Sequence, residues 1–227
     1  MHFEILIEDV SGKEMLENLV PRILGDSHTY KIISYKGLGR NIPKNLHSHP
    51  DPRKRILLDL LPKLIRGYGS AFAGFPAGYS AALVIVVDLD DRCLIKFKQE
   101  LIDILNSASP KPEARFCFAI EEGEAWLLGD LNAILRAYPR ANRRKLEMYE
   151  NDSICGTWEV MADALHKGGS AGLAKGGYQQ VGEAKFNWAK NITPHMNIDE
   201  NNSPSFNYFK EKLRELAGGY TTSVTNI

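Results

Sequence analysis

The chain lacks an excess of either charge: 28 Lys and Arg are balanced by 28 Asp and Glu, for a formal net charge of zero. A polycation that coats nucleic acid indiscriminately is therefore excluded, although a local basic patch facing an acidic centre is not. Cysteine is scarce. Cys93, Cys117 and Cys155 are far apart in sequence, which gives neither a disulfide framework nor a zinc knuckle and fits free thiols in a reducing compartment. Long apolar runs are missing too: none approaches the roughly 18 residues of a membrane span. The first residues enter a strand pattern at once, without a basic segment and apolar stretch of the secretory kind. A cytoplasmic protein that does not enter the membrane is the expectation. No internal repeat or low-complexity tract is present, apart from a polar tail after Gly218.

Nucleotide-binding signatures are also absent. Gly12-Lys13 resembles the end of a phosphate-binding loop, but the leading glycine is missing and Glu14 stands where Ser or Thr belongs. Gly168–Lys175 fails the same spacing. The chain is not expected to be an ATPase itself. His47, His49 and His195 show no metal-ligand spacing.

What the sequence does contain is a set of short apolar runs that end in acids. Phe3-Glu4-Ile5-Leu6-Ile7 leads into Glu8-Asp9, and Leu83-Val84-Ile85-Val86-Val87 leads into Asp88-Leu89-Asp90-Asp91. A third run, Arg115–Ile120, leads into Glu121, Glu122 and Glu124. Continuous β-branched runs of this length read as buried parallel strands. Acids at their ends fall on the edge of the sheet where α/β folds place ligands. Carboxylates gathered there repel one another unless a cation sits between them, and oxygen ligands suit Mg²⁺ or Mn²⁺. Asp88-x-Asp90 is the sharpest element, because alternate residues leaving a strand converge on one ion. Glu121, nearest its strand, is chosen ahead of Glu124 as a further ligand. Asp91 is also placed to cap the following helix.

The order of patterns is βαβαβαβ. Strands are expected at Phe3–Glu8, Tyr30–Tyr35, Ala82–Asp88 and Arg115–Ile120. Helices are expected from Ser11 (an N-cap, with Glu14 at capping-box spacing), over Arg53–Gly67 with a break near Pro62, and over Leu94–Leu105. Lys36–Pro52 reads as a loop, and Gly67–Tyr79 as an ordered connector. This is an α/β core of about four mostly parallel strands with flanking helices, spanning 1–138. A helical C-terminal extension follows over 139–217, with pieces at Thr157–Leu165, Glu183–Asn191 and Ser205–Leu216 separated by a Gly/Lys loop at 168–177. Residues 218–227 read as a flexible tail. In the extension, Trp158, Phe186, Trp188, Phe206 and Phe209 are expected to pack rather than to bind.

Arg136, Arg140, Arg143, Arg144 and Lys145 form a basic group near Tyr138, and guanidinium groups bind phosphates bidentately. A nucleic-acid backbone is one use for them, a solvated helix face another. Lys175 and Lys185 flank the glycine-rich segment and are candidates for binding or stabilising phosphate.

Glu8 after the first strand and Asp88-x-Asp90 after the third resemble the TOPRIM domain of topoisomerases, primases and nucleases of the overcoming-lysogenization-defect type. Where that family commonly reads Glu-Gly-x-Ser/Thr-Asp, this chain reads Glu8-Asp9-Val10-Ser11-Gly12. More specifically, the whole chain resembles an uncharacterised bacterial TOPRIM-like family often encoded beside an AAA-type ATPase. The resemblance lies in Lys36–Gly39, Glu121–Asp130, Tyr138-Pro139, Gly156–Glu159 and Asn202–Phe206. It implies a Rossmann-like fold and Mg²⁺ (or Mn²⁺) held by Glu8, Asp88 and Asp90. It also implies cleavage of phosphodiester bonds in DNA or RNA, alongside an ATPase partner in defence against phage or mobile elements; Lys185, from its own position, is the candidate to assist that cleavage. A homo-oligomer is compatible with this reading. Two alternatives stand beside it. One is a sensor or regulatory partner of the ATPase without turnover. The other is a phosphatase with Asp88 as nucleophile, on the likeness of Asp88-Leu89-Asp90 to the haloacid-dehalogenase motif.

Overall fold

A computed structural model describes residues 1–40, 42–43, 51 and 53–218. Four strands form one sheet: β1 His2–Ile7, β2 Thr29–Ser34, β3 Ala81–Asp88 and β4 Ala114–Ala119. Their spatial order is β2-β1-β3-β4, and every neighbouring pair is parallel. The expected α/β class holds, and the arrangement is consistent with a Rossmann-like fold. β3 is buried along nearly its whole length, which is why its sequence is a continuous apolar run rather than an alternating one. The pleat still divides its side chains. Val84 and Val86 join Ile5 and Ile7 in one core, whereas Leu83, Ile85 and Val87 join Leu6 in the other.

The second core is covered by α2 Leu57–Ala73 and α3 Leu94–Ser107. The first is covered by α1 Val10–Leu24 and by the C-terminal helices. These are α4 Glu124–Leu128, α5 Leu131–Ala137, α6 Arg143–Glu147, α7 Thr157–Leu165, α8 Gly169–Ala174, α9 Gly177–Ile192 and α10 Pro204–Leu216. α9 packs along α1, and α10 packs on β4 and α1. Trp126 stacks on Phe209 at 4.9 Å between ring centroids and meets Phe206 edge-on at 5.7 Å. Residues on both sides of position 138 thus share one hydrophobic cluster. Phe206, Phe209 and Trp188 are buried, as expected of packing aromatics.

Several expected boundaries shift. Asp9, not Ser11, caps α1: its Oδ1 accepts from the Gly12 amide at 2.7 Å, and the Ser11 hydroxyl donates to its Oδ2 at 2.7 Å. α2 begins later than expected and continues through Pro62, Gly67 and Gly69 into the supposed connector. Gly69 is required there, since a Cβ would lie 2.0 Å from the Pro110 carbonyl oxygen. A short helix, α8, occupies the expected Gly/Lys loop. α3 starts after Cys93 with no side-chain cap, so Asp91 does not serve as one. His47, His49 and the expected tail beyond Gly218 lie outside the described residues. Among the described residues, no helix is long and apolar enough to cross a membrane.

Candidate active site

From β1 the chain steps outward to β2, and from β3 it steps the opposite way to β4. The C-terminal ends of β1 and β3 are therefore a topological switch point, where diverging connections leave a crevice. Glu8 follows β1 directly, and Asp88 is the last residue of β3. The register pairs Ile7 with Val86 and fixes both acids at the same edge. They line a cavity of about 20 Å³ together with Asp9, Glu124 and Lys185. Ile7, Met15, Trp126 and Leu127 supply its apolar walls. It has room for a water or an ion but not for a nucleotide.

Its electrostatics are those of acids confined against each other. Burial pushes the Glu8 carboxyl up from 4.5 to about 7, with the charges of Asp90 and Asp9 adding and the amides of Leu38 and Asp88 opposing. Burial also holds Asp88 well above the usual carboxylate range; Glu8 adds to this and Lys185 works against it. Glu8 Oε2 is buried with no hydrogen-bond partner, an arrangement that is costly unless something else occupies it. Among the described residues, the cation lining the cavity is Lys185, delivered by α9. Its Nζ stands 3.1 Å from Glu124 Oε2 and 3.2 Å from Glu122 Oε1. Burial alone would lower its pKa, but Glu124, Glu122 and Asp88 outweigh that and raise it. Glu124 is 4% exposed. Burial raises its carboxyl, against the pull of Lys185.

The donor set fits a hard divalent cation. Among the described residues, no three His, Cys, Asp or Glu form a ready-made ligand shell. Mg²⁺, however, keeps most of its waters and takes only one or two protein carboxylates together with substrate phosphate. The unpartnered Glu8 Oε2 and the facing Asp88 provide such a pair. Glu8 and Asp88 are the residues that would hold the ion, with Glu124 alongside.

The other expected site residues are distributed unevenly. Asp90 is near enough for its charge to raise Glu8, yet it does not line the cavity. It adopts a left-handed backbone, φ +49°, and its carboxylate pairs with Arg92 at 2.9 Å. Arg92 also donates to the Gly39 carbonyl at 2.8 Å. Glu121, chosen ahead of Glu124, has a different role. Its carboxylate accepts the amides of Cys155, Gly156 and Thr157 at 3.3, 2.8 and 2.8 Å, binding the positive N-terminal end of α7. The structure thus reverses the expected order, with Glu124 inside the cavity and Glu121 outside it.

Arg136, Arg140, Arg143, Arg144 and Lys175 are exposed, and none lines the cavity. Arg143 is paired with Glu147 at 2.7 Å. Asp9 and Glu122 join the site without being expected there. Asp9 carried the same signal as Glu8, an acid at the strand end. The partnership of Glu122 with Lys185 spans 63 residues and leaves no local trace.

A family model described as Domain of unknown function (DUF4276) matches residues 7–214. No curated protein and no solved structure matches the chain.

Proposed function

Since the chain belongs to this family of unknown function, we propose its role from its own residues: a TOPRIM-like nuclease, dependent on Mg²⁺ or Mn²⁺, that hydrolyses phosphodiester bonds in DNA or RNA. We place it beside an AAA-type ATPase in bacterial defence against phage or mobile elements, on the sequence resemblance alone. The observation that carries the nuclease reading is the Glu8–Asp88 pair, two mutually repelling and partly buried carboxylates at the switch point of a parallel sheet.

When bound, the cation would neutralise phosphate charge and acidify water. The remaining work falls to the chain. Glu8, through its unpartnered Oε2, and Asp88 would hold the ion. As the alternative to a ligand role, Glu8 would serve as general base, its carboxyl near 7 in the metal-free chain suiting it to accept a proton at neutral pH. Lys185 stays protonated beside Glu124 and keeps a positive charge next to the reacting phosphate. Ile7, Met15, Trp126 and Leu127 limit water on the inner side.

A second reading, a regulatory partner of the ATPase without turnover, is favoured by one observation. Lys185 already balances Glu122 and Glu124 without any added cation.

Cleavage of plasmid, single-stranded DNA and RNA with Mg²⁺ or Mn²⁺, with and without the neighbouring ATPase, tests the proposal. Wild type should cut only with metal, and Asp88→Ala should lose about a hundredfold in rate while remaining folded, since even groups that only orient a metal's ligands cost about 10–100-fold. Undiminished cutting by Asp88→Ala would reject the site. A folded wild type that never cuts would favour the regulatory reading.

A further inference from the structure

Lys185 lines two spaces. One is the small acidic cavity; the other is an open groove of about 580 Å³ on its outer side, bordered by Glu122, Trp158, Gly177, Tyr178 and Gly182. The cavity is too small for a nucleotide, but the groove falls within the roughly 300–1,000 Å³ of small-ligand sites. Tyr178 is 99% exposed, and among the described residues neither a hydrogen bond nor a ring contact accounts for it. Trp158 is half-buried, anchored against the core cluster, and likewise makes no ring contact with another aromatic. At Gly182 no atom lies within 4 Å of the position a Cβ would take, so the wall of α9 between Tyr178 and Lys185 is left open. Aromatic surface flanks the groove, and the ammonium group at its inner end also reaches the acids.

We propose that this groove is a nucleobase subsite, and that the substrate is single-stranded nucleic acid whose unstacked base lies against Tyr178 and Trp158 while its phosphate reaches Lys185. The inference rests on the nuclease reading of the acidic cavity and specifies its substrate class. Stacked, paired bases in a duplex offer no free face to these rings, whereas a single strand offers one at every residue. Lys185, shared by both spaces, joins the base-binding groove to the site of cleavage. Lys175, exposed and next in sequence to Ala174 of the groove lining, is available to a neighbouring phosphate.

Binding without turnover tests this separately from catalysis. Of the three tryptophans, Trp126 and Trp188 are buried, so quenching of tryptophan emission reports on Trp158. In EDTA, the full chain is titrated with a thymidine dodecamer, a uridine dodecamer, an abasic dodecamer and a duplex of the same length. Both pyrimidine single strands should quench. The abasic strand, the duplex, and the pyrimidine strands added to Tyr178→Ala should each bind roughly tenfold or more weakly, in line with the loss of one stacked base. Trp158→Phe should lose the quenching but still bind labelled oligonucleotide, as read by anisotropy. The melting temperature of Tyr178→Ala should match wild type, because that side chain packs on nothing. Equal binding by Tyr178→Ala, equal binding of duplex and single strand, or no binding of any oligonucleotide would overturn the subsite. Metal-dependent cutting that ignores Tyr178 would leave the nuclease standing without the subsite. Tyr178-dependent binding by a protein that never cuts would do the reverse.

Discussion

Glu8 is held near 7 chiefly by burial and then by the charges of Asp90 and Asp9, which makes it a sensitive reporter of the cavity. Between its ordinary 4.5 and about 7, the folded state binds more protons than the unfolded one. Stability must therefore fall as pH rises. The contribution of Glu8 is complete below about 4.5 and is lost as pH rises through about 7. Metal-free wild type should show a melting temperature that declines across this window, and Glu8→Gln should flatten the decline. At pH 8 the variant should be the more stable by about 1–3 kcal/mol. An unchanged slope in Glu8→Gln would mean that Glu8 is not the strained group. At this scale the sequence was informative, because an apolar run ending in an acid marks both a strand and its C-terminal edge. It could not reveal that Asp90 would turn toward Arg92, a choice made by a left-handed backbone after β3. Nor could it show that Lys185, nearly a hundred residues on, would enter among these acids.

The elements place these residues, and they also explain why Glu121 and Glu124 exchange roles. Glu121 adopts φ +64° at the exit of β4 and meets the amides at the start of α7. Glu124 opens α4 one turn later and is carried into the cavity. Both acids look alike in sequence; what separates them is the return of α7, a tertiary event. Glu121→Ala should cost about 1–2 kcal/mol of stability by releasing the N-terminal amides of α7, while leaving metal binding intact. Loss of metal binding with unchanged stability would restore Glu121 as a ligand. The same logic covers two other departures. Gly67 and Gly69 looked like helix breakers, yet α2 runs through them because Gly69 sits against the Pro110 carbonyl. α8 forms in glycine-rich sequence of poor helix propensity, with Asp163 accepting the Ser170 amide at its start.

In the whole molecule, the helices after position 138 complete the fold as well as the site. Trp126, in the first part, is enclosed by Phe206 and Phe209 from α10, and α9 both covers α1 and delivers Lys185. Residues 1–138 expressed alone should therefore fail to unfold cooperatively in a thermal scan, since α1, α4 and α5 would lose the helices that pack over them and Trp126 would be uncovered. A sharp, cooperative transition from this fragment would show two independent domains. The division expected near 138 follows a real change of character in the sequence, from strand–helix alternation to short helices. Shared burial across the boundary is not visible in local pattern, because the contacts that create it join residues some eighty positions apart.

The most direct measurement is a Mn²⁺ titration of the full chain at pH 8, followed by electron paramagnetic resonance of the free ion, with wild type, Asp88→Asn and Glu121→Ala side by side. The account predicts Mn²⁺ bound by wild type and by Glu121→Ala and at least about tenfold weaker binding in Asp88→Asn, the scale of losing a carboxylate that orients or holds the ion. Equal binding by wild type and Asp88→Asn, or none by wild type, would contradict the claim that the acids of the β1–β3 switch point are a cation site.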